Sequence, residues 1–105
     1  MAGTQVGITE AQFQRMVTDL CDWLHLRWYH THDSRRSPGG FPDLVIVGPA
    51  QVVYVELKSE KGRVTPAQKE WIDALCGALQ DAYIWRPSDW PEAQRVLTML
   101  AKGTL

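Results

Sequence analysis

The segment Phe41–Pro–Asp–Leu–Val–Ile–Val–Gly–Pro–Ala–Gln–Val–Val–Tyr–Val–Glu–Leu–Lys58 constrains the fold more than any other part of the chain. Two short apolar runs flank a Gly48–Pro49–Ala50–Gln51 turn, which predicts a hairpin of strands over about Asp43–Val47 and Val52–Lys58. Side chains alternate along a strand, so Val52, Tyr54, Glu56 and Lys58 share one face, while Val53, Val55 and Leu57 share the other. Both faces are largely apolar, which calls for helices on both sides of the sheet. Closing the hairpin around Pro49–Ala50 sets Val47 opposite Val52, and therefore Asp43 opposite Glu56. Directly opposed Cβ atoms lie about 4.5–5.5 Å apart, and opposed like charges destabilise a sheet.

That juxtaposition has three remedies: protonating one acid, pairing both with Lys58, or binding a divalent cation. A salt-bridged strand end emerging into solvent is the plain structural explanation. Asp43, Glu56 and Lys58 in register also form an oxygen-rich site suited to a hard cation such as Mg²⁺ or Mn²⁺.

The flanking sequence supplies helices. From Thr9 to about His25, Phe13, Met16, Val17, Leu20, Cys21 and Leu24 recur at helical spacing, with Thr9 and Gln12 placed for a capping box. Glu10 lies on the stripe expected to face the sheet. There it either answers the helix dipole or adds a third carboxylate to the pair. Arg27–His32 reads as an aromatic strand, and residues 33–40 as a polar loop. After a charged loop, Thr65 caps a second helix with Pro66 in its first turn and Gln68 at N3; its stripe is Trp71, Ile72, Leu75, Cys76 and Leu79. A strand over Ala82–Trp85 and a third helix, capped by Asp89 and Glu92 and running to about Lys102, complete the order α-β-β-β-α-β-α. The fold class expected is α/β, a mixed sheet flanked by helices, in one domain spanning residues 1–105.

Composition excludes little. With 11 basic and 12 acidic residues the net charge is −1, so any nucleic-acid footprint must come from local clustering. No apolar run approaches a membrane span, and the first residues lack the pattern of a secretory signal. Cys21 and Cys76 could pair, but both fall on helical stripes and read as small buried thiols of a reducing compartment. No Cys or His pair has zinc-ligand spacing. Trp71 and Trp85 suit the core or a dimer interface. Trp23, Trp28 and Trp90 suit core edges, with stacking on unpaired bases as the functional alternative.

The blocks Gly40-x-Pro-Asp-Leu44, Glu56-Leu-Lys58, Gly62-Arg-Val-Thr-Pro-x-Gln68 and the closing Trp85-Arg-Pro87 resemble the VRR-Nuc family of the PD-(D/E)XK nuclease superfamily, in particular its stand-alone virus-type members. The resemblance implies a restriction-endonuclease-like core and metal-dependent endonuclease activity on four-way (Holliday) junctions or other branched DNA. It also implies a homodimer encoded by a phage or prophage and acting in the host cytoplasm. Glu10, Asp43 and Glu56 would ligate one or two Mg²⁺ or Mn²⁺ ions with the carbonyl of Leu57, Lys58 would orient or help deprotonate the attacking water, and Gln68 would stand beside them. A capping role explains Gln68 without chemistry. Arg35, Arg36, Lys61, Arg63 and Lys69, in or near the loops flanking the motif strands, form the expected phosphate-binding set. Neither a membrane nor a nucleotide cofactor is expected. A sequence-specific restriction or repair nuclease on the same fold, and a non-catalytic nucleic-acid-binding module, are the competing readings.

Overall fold

The computed structural model describes residues 7–32 and 36–105. Helix α1 spans Glu10–Trp23, strand β1 Arg27–His30, β2 Leu44–Val47 and β3 Val52–Leu57. Helix α2 spans Pro66–Gly77, β4 Asp81–Trp85 and α3 Trp90–Lys102, so the order read from the sequence is the order observed. The four strands form one mixed sheet in the order β1-β2-β3-β4, with β1, β2 and β3 antiparallel and β4 parallel to β3. The hairpin register is the expected one: Val47 pairs with Val52 and Leu44 with Val55. The Gly48 N–H donating to the Gln51 carbonyl at 2.8 Å closes the turn.

Leu44, Ile46, Val53, Val55 and Leu57 are completely buried on one face, together with Phe13, Val17 and Cys21 of α1 and Ala93, Val96, Leu97 and Leu100 of α3. Phe13 meets Trp90 edge to face at 6.4 Å, which joins the two helices across the core. Helix α2 lies on the other face toward β4 and buries only Ile72 fully.

Both expected capping boxes are present. Thr9 with Gln12 and Thr65 with Gln68 exchange reciprocal side-chain-to-backbone hydrogen bonds. Four local expectations are corrected. Helix α1 stops at Trp23 rather than His25, because His25 takes a left-handed conformation (φ 60) and Leu26 N–H caps the Cys21 carbonyl. Leu79 falls beyond α2, also left-handed (φ 63), and is 91% exposed. Cys76 is exposed, with its thiol 3.7 Å from the Ala82 carbonyl of the edge strand β4; Cys21 is buried as expected. Asp89 makes no cap hydrogen bond to α3. It instead accepts from the Arg86 N–H at 2.8 Å within a 3-10 turn over Pro87–Asp89, and Glu92 accepts from the Trp85 indole. Among the described residues no helix is long and apolar enough to cross a membrane.

Candidate active site

The register that places β2 against β3 also brings β1 into line. Thr31 N–H donates to the Asp43 carbonyl at 2.8 Å, so Thr31, Asp43 and Glu56 form one row across the sheet, just beyond the ends of β1 and β2. Asp43 Oδ2 accepts the Leu57 N–H at 2.8 Å. That bond fixes the Asp43 carboxylate against β3. In an extended strand the N–H and C=O of one residue point to the same neighbour, so the Leu57 carbonyl also looks toward Asp43. Lys58 N–H points the opposite way, to the Trp85 carbonyl of β4 at 3.0 Å.

Glu56 is 2% exposed, a rare state for a carboxylate. Its Oε2 lies 3.5 Å from the buried Lys58 ammonium, and its Oε1 is buried without a hydrogen-bond partner among the described residues. Burial, and then the charge of Asp43, push the Glu56 carboxyl from its ordinary 4.5 up to about 8, against the pull of Lys58. An orphaned carboxylate oxygen, a second carboxylate held beside it and a convergent carbonyl make a donor set that fits a hard divalent cation.

The raised Glu56 carboxyl carries a testable sign. The folded state holds a proton that the unfolded chain has already released between pH 4.5 and about 8, so stability falls as pH rises through that window. In EDTA the thermal midpoint at about pH 8.5, relative to Glu56→Gln, is expected to lie below the same difference at about pH 5, and millimolar Mg²⁺ is expected to recover it at the higher pH. A difference that is flat with pH, or untouched by Mg²⁺, is the contrary result.

The other sequence-selected residues are placed unevenly. Glu10 is the first helical residue of α1 and is exposed, not turned into the core. It lies by His30 in a groove between α1 and β1, at the same end of the sheet as Asp43 but on the α1 side. Among the described residues no three His, Cys, Asp or Glu side chains are grouped as a ready metal cage.

Gln68 lines a groove together with Asp43. Its Oε1 is taken by the Thr65 N–H at 2.9 Å, which leaves the amide NH₂ to face a ligand. Capping and ligand contact are therefore compatible. Arg36, Lys61 and Arg63 are exposed, whereas the Lys69 ammonium is matched by both oxygens of Asp73 at 2.6 and 2.7 Å. Arg35 lies outside the described residues.

Two features escape sequence reasoning. The Arg86 guanidinium donates to the Ser59 and Glu60 carbonyls at 2.8 and 3.1 Å, and so holds the chain that leaves Lys58. Its only sequence signal is the Trp-Arg-Pro block. Gly40, with φ 94, brings the segment before Asp43 into direct contact with the backbone of Ala67 in α2.

This arrangement has a counterpart among known proteins: the VRR-NUC domain matches residues 3–89. The chain belongs to the VRR-NUC domain family. A solved structure described as a VRR_NUC domain protein superposes with a TM-score of 0.68 at 24% identity, covering 91% of this chain and 90% of its own. That likeness establishes the shared mixed-sheet fold. No curated protein matches. VRR-NUC domains are nucleases of the PD-(D/E)XK type. In this chain Pro42-Asp43 is followed by Glu56-Leu57-Lys58, with Glu56 thirteen positions after Asp43.

Proposed function

We propose that this VRR-NUC domain is a Mg²⁺- or Mn²⁺-dependent endodeoxyribonuclease that cuts branched DNA, four-way junctions among its substrates, as a homodimer. The observation that carries the metal-dependent reading is Glu56: a buried carboxylate with an unpartnered oxygen, in register with Asp43 and touching Lys58. A buried carboxylate oxygen without a partner is costly until something satisfies it, and a cation would.

Asp43, Glu56 and the Leu57 carbonyl would hold the cation, with Glu10 as a further ligand. A bound divalent cation supplies Lewis acidity and lowers the pKa of a coordinated water. The chain's own groups do the rest. The Leu57 N–H keeps Asp43 oriented, so the carboxylate does not have to reorganise during the reaction. The Lys58 ammonium, buried beside Glu56, positions the attacking water or a non-bridging phosphate oxygen. The Gln68 amide NH₂ donates to a phosphate oxygen on the groove side. Water attack on phosphorus breaks the bond to the leaving oxygen, which takes up a proton. Arg36, Lys61 and Arg63, with Arg35, attract the DNA backbone. A four-way junction is resolved by two symmetric cuts, and one copy of this chain carries one such edge, which is the reason for a dimer.

The test offers purified protein single-stranded, duplex, flap and four-way DNA with Mg²⁺, Mn²⁺ or EDTA. We expect the four-way substrate to be cut fastest, EDTA to stop the reaction, and Asp43→Ala or Lys58→Ala to lower the rate at least about a hundredfold. Cleavage that survives EDTA excludes the metal-dependent reading. Equal cutting of a linear duplex at one sequence favours the restriction or repair alternative. Monomers alone in sedimentation at micromolar concentration, with and without DNA, exclude the dimer.

A further inference from the structure

A groove of about 700 Å³ opens directly beside the catalytic edge, sharing Asp43 and Gln68 with it. Nothing in the reaction described above needs a space of that size. The groove begins where the sheet loses its cover. Helix α2 stands over β4, and among the described residues no helix covers the β1 half of the same face. Tyr29 stands there, 62% exposed, one pleat along β1 from the row that contains Asp43 and Glu56.

Three properties of the lining decide what it fits. Its surfaces are aromatic: Tyr29, His32, Phe41 and Trp71. Its far wall is rigid, because the Trp71 indole N–H donates to the Gly39 carbonyl at 3.2 Å and its ring meets Phe41 edge to face at 5.0 Å. Its polar groups are uncharged, apart from Asp43 at the catalytic end. The Gln68 amide and Ser37 belong to the lining, the Thr31 hydroxyl oxygen beneath it is buried without a hydrogen-bond partner among the described residues, and no Lys or Arg is part of the described lining. A surface built for phosphate would be basic. An uncharged aromatic slot with amide and hydroxyl groups suits a flat heteroaromatic ring.

We propose that this groove receives an unpaired nucleobase of the strand being cut, stacked on Tyr29, so that the adjoining phosphate lies against Asp43, Glu56 and Lys58. The proposal rests on the nuclease reading and deepens it. A base inside a duplex is paired and stacked on both sides, and taking it out costs a few kcal/mol; a base at a branch point is already free. The groove thus gives the enzyme a physical means of preferring branched or single-stranded DNA without reading sequence.

The test is a base-by-side-chain cycle run in EDTA, so that binding is read without cleavage. A short fluorescein-labelled single-stranded oligonucleotide, and versions with one abasic nucleotide at each successive position, are titrated against the full chain and against Tyr29→Ala. With the wild-type chain we expect one abasic position to weaken binding about tenfold, the scale of losing a stacked base. Tyr29→Ala is expected to weaken the intact oligonucleotide by about the same factor, with no further loss at that abasic position, and Tyr29→Phe to behave as wild type. Affinity for a fully paired duplex should not change.

Losses that simply add, or that are equal at every abasic position, overturn the proposal. So does an equal loss with duplex. A Tyr29→Ala chain that changes oligomeric state in sedimentation assigns the surface to a second copy instead, and also overturns it. If the cycle holds while metal-dependent cleavage is absent, the catalytic reading falls and the nucleobase site stands. The reverse pattern removes only the site.

Discussion

Glu56→Gln is expected to lower cleavage at least about a hundredfold while making the metal-free protein more stable at neutral and alkaline pH. The two effects have one cause. Glutamine keeps the shape of Glu56 and can still approach Lys58, but it removes the buried charge opposed to Asp43 and the oxygen that lacks a partner. The folded state therefore loses a source of repulsion, and the site loses a cation ligand. Activity is read on four-way DNA at saturating Mg²⁺, and stability by thermal unfolding in EDTA. A variant that is inactive and also destabilised would mean that Glu56 holds the edge together rather than serving the reaction. Near-wild-type activity would remove Glu56 from the site altogether.

Gly40→Ala is the second large effect, and it acts through the backbone. At φ 94 a side chain is strained wherever it points, at about 1–3 kcal/mol. Its Cβ would also stand 2.6 Å from the Ala67 carbonyl carbon and 2.7 Å from the carbonyl oxygen, well inside contact distance. Overpacking of that kind adds about 1–3 kcal/mol, and in a domain of this size the two together lower the thermal midpoint by about 10 °C or more. Because Gly40 directly precedes Phe41, Pro42 and Asp43, relief by shifting the loop also moves a candidate ligand, so cleavage should fall even well below the midpoint. Ala67→Gly is not expected to rescue the variant, since it removes only a methyl group and the nearest atoms belong to the main chain. A stable, fully active Gly40→Ala chain would show that the loop–helix contact is not needed.

The sequence made the candidate catalytic edge legible because a tight turn fixes register, and register fixes which residues face each other. Once Pro49–Ala50 closes the hairpin, Asp43 and Glu56 have to meet. The capping boxes were equally readable, since both partners lie within three residues. Glu10 was harder. Helical spacing gives the angle of a side chain around the axis, but not how far the first turn projects past the strands it covers. Spacing also does not show where a helix stops: the stripe continues in the sequence to Leu79, whereas α2 ends at Gly77 and Leu79 turns left-handed. Arg86 and Tyr29 were not legible at all, because one is defined by partners 26 and 27 residues earlier and the other by its exposure on the folded sheet.

Arg86 has a consequence for when the enzyme comes into being during synthesis. Every candidate catalytic side chain lies between Glu10 and Gln68, yet the Lys58 N–H is bonded to Trp85 and the two carbonyls after Ser59 N are bonded to Arg86. A nascent chain that has reached Gln80 therefore carries the complete chemical set with no mount for its lysine. Only the arrival of β4, which pairs in parallel and closes the sheet last, locks that lysine in place. The backbone that carries the lysine is thus tied to residues that follow it by more than 25 positions, so the edge and the last strand are one structural unit.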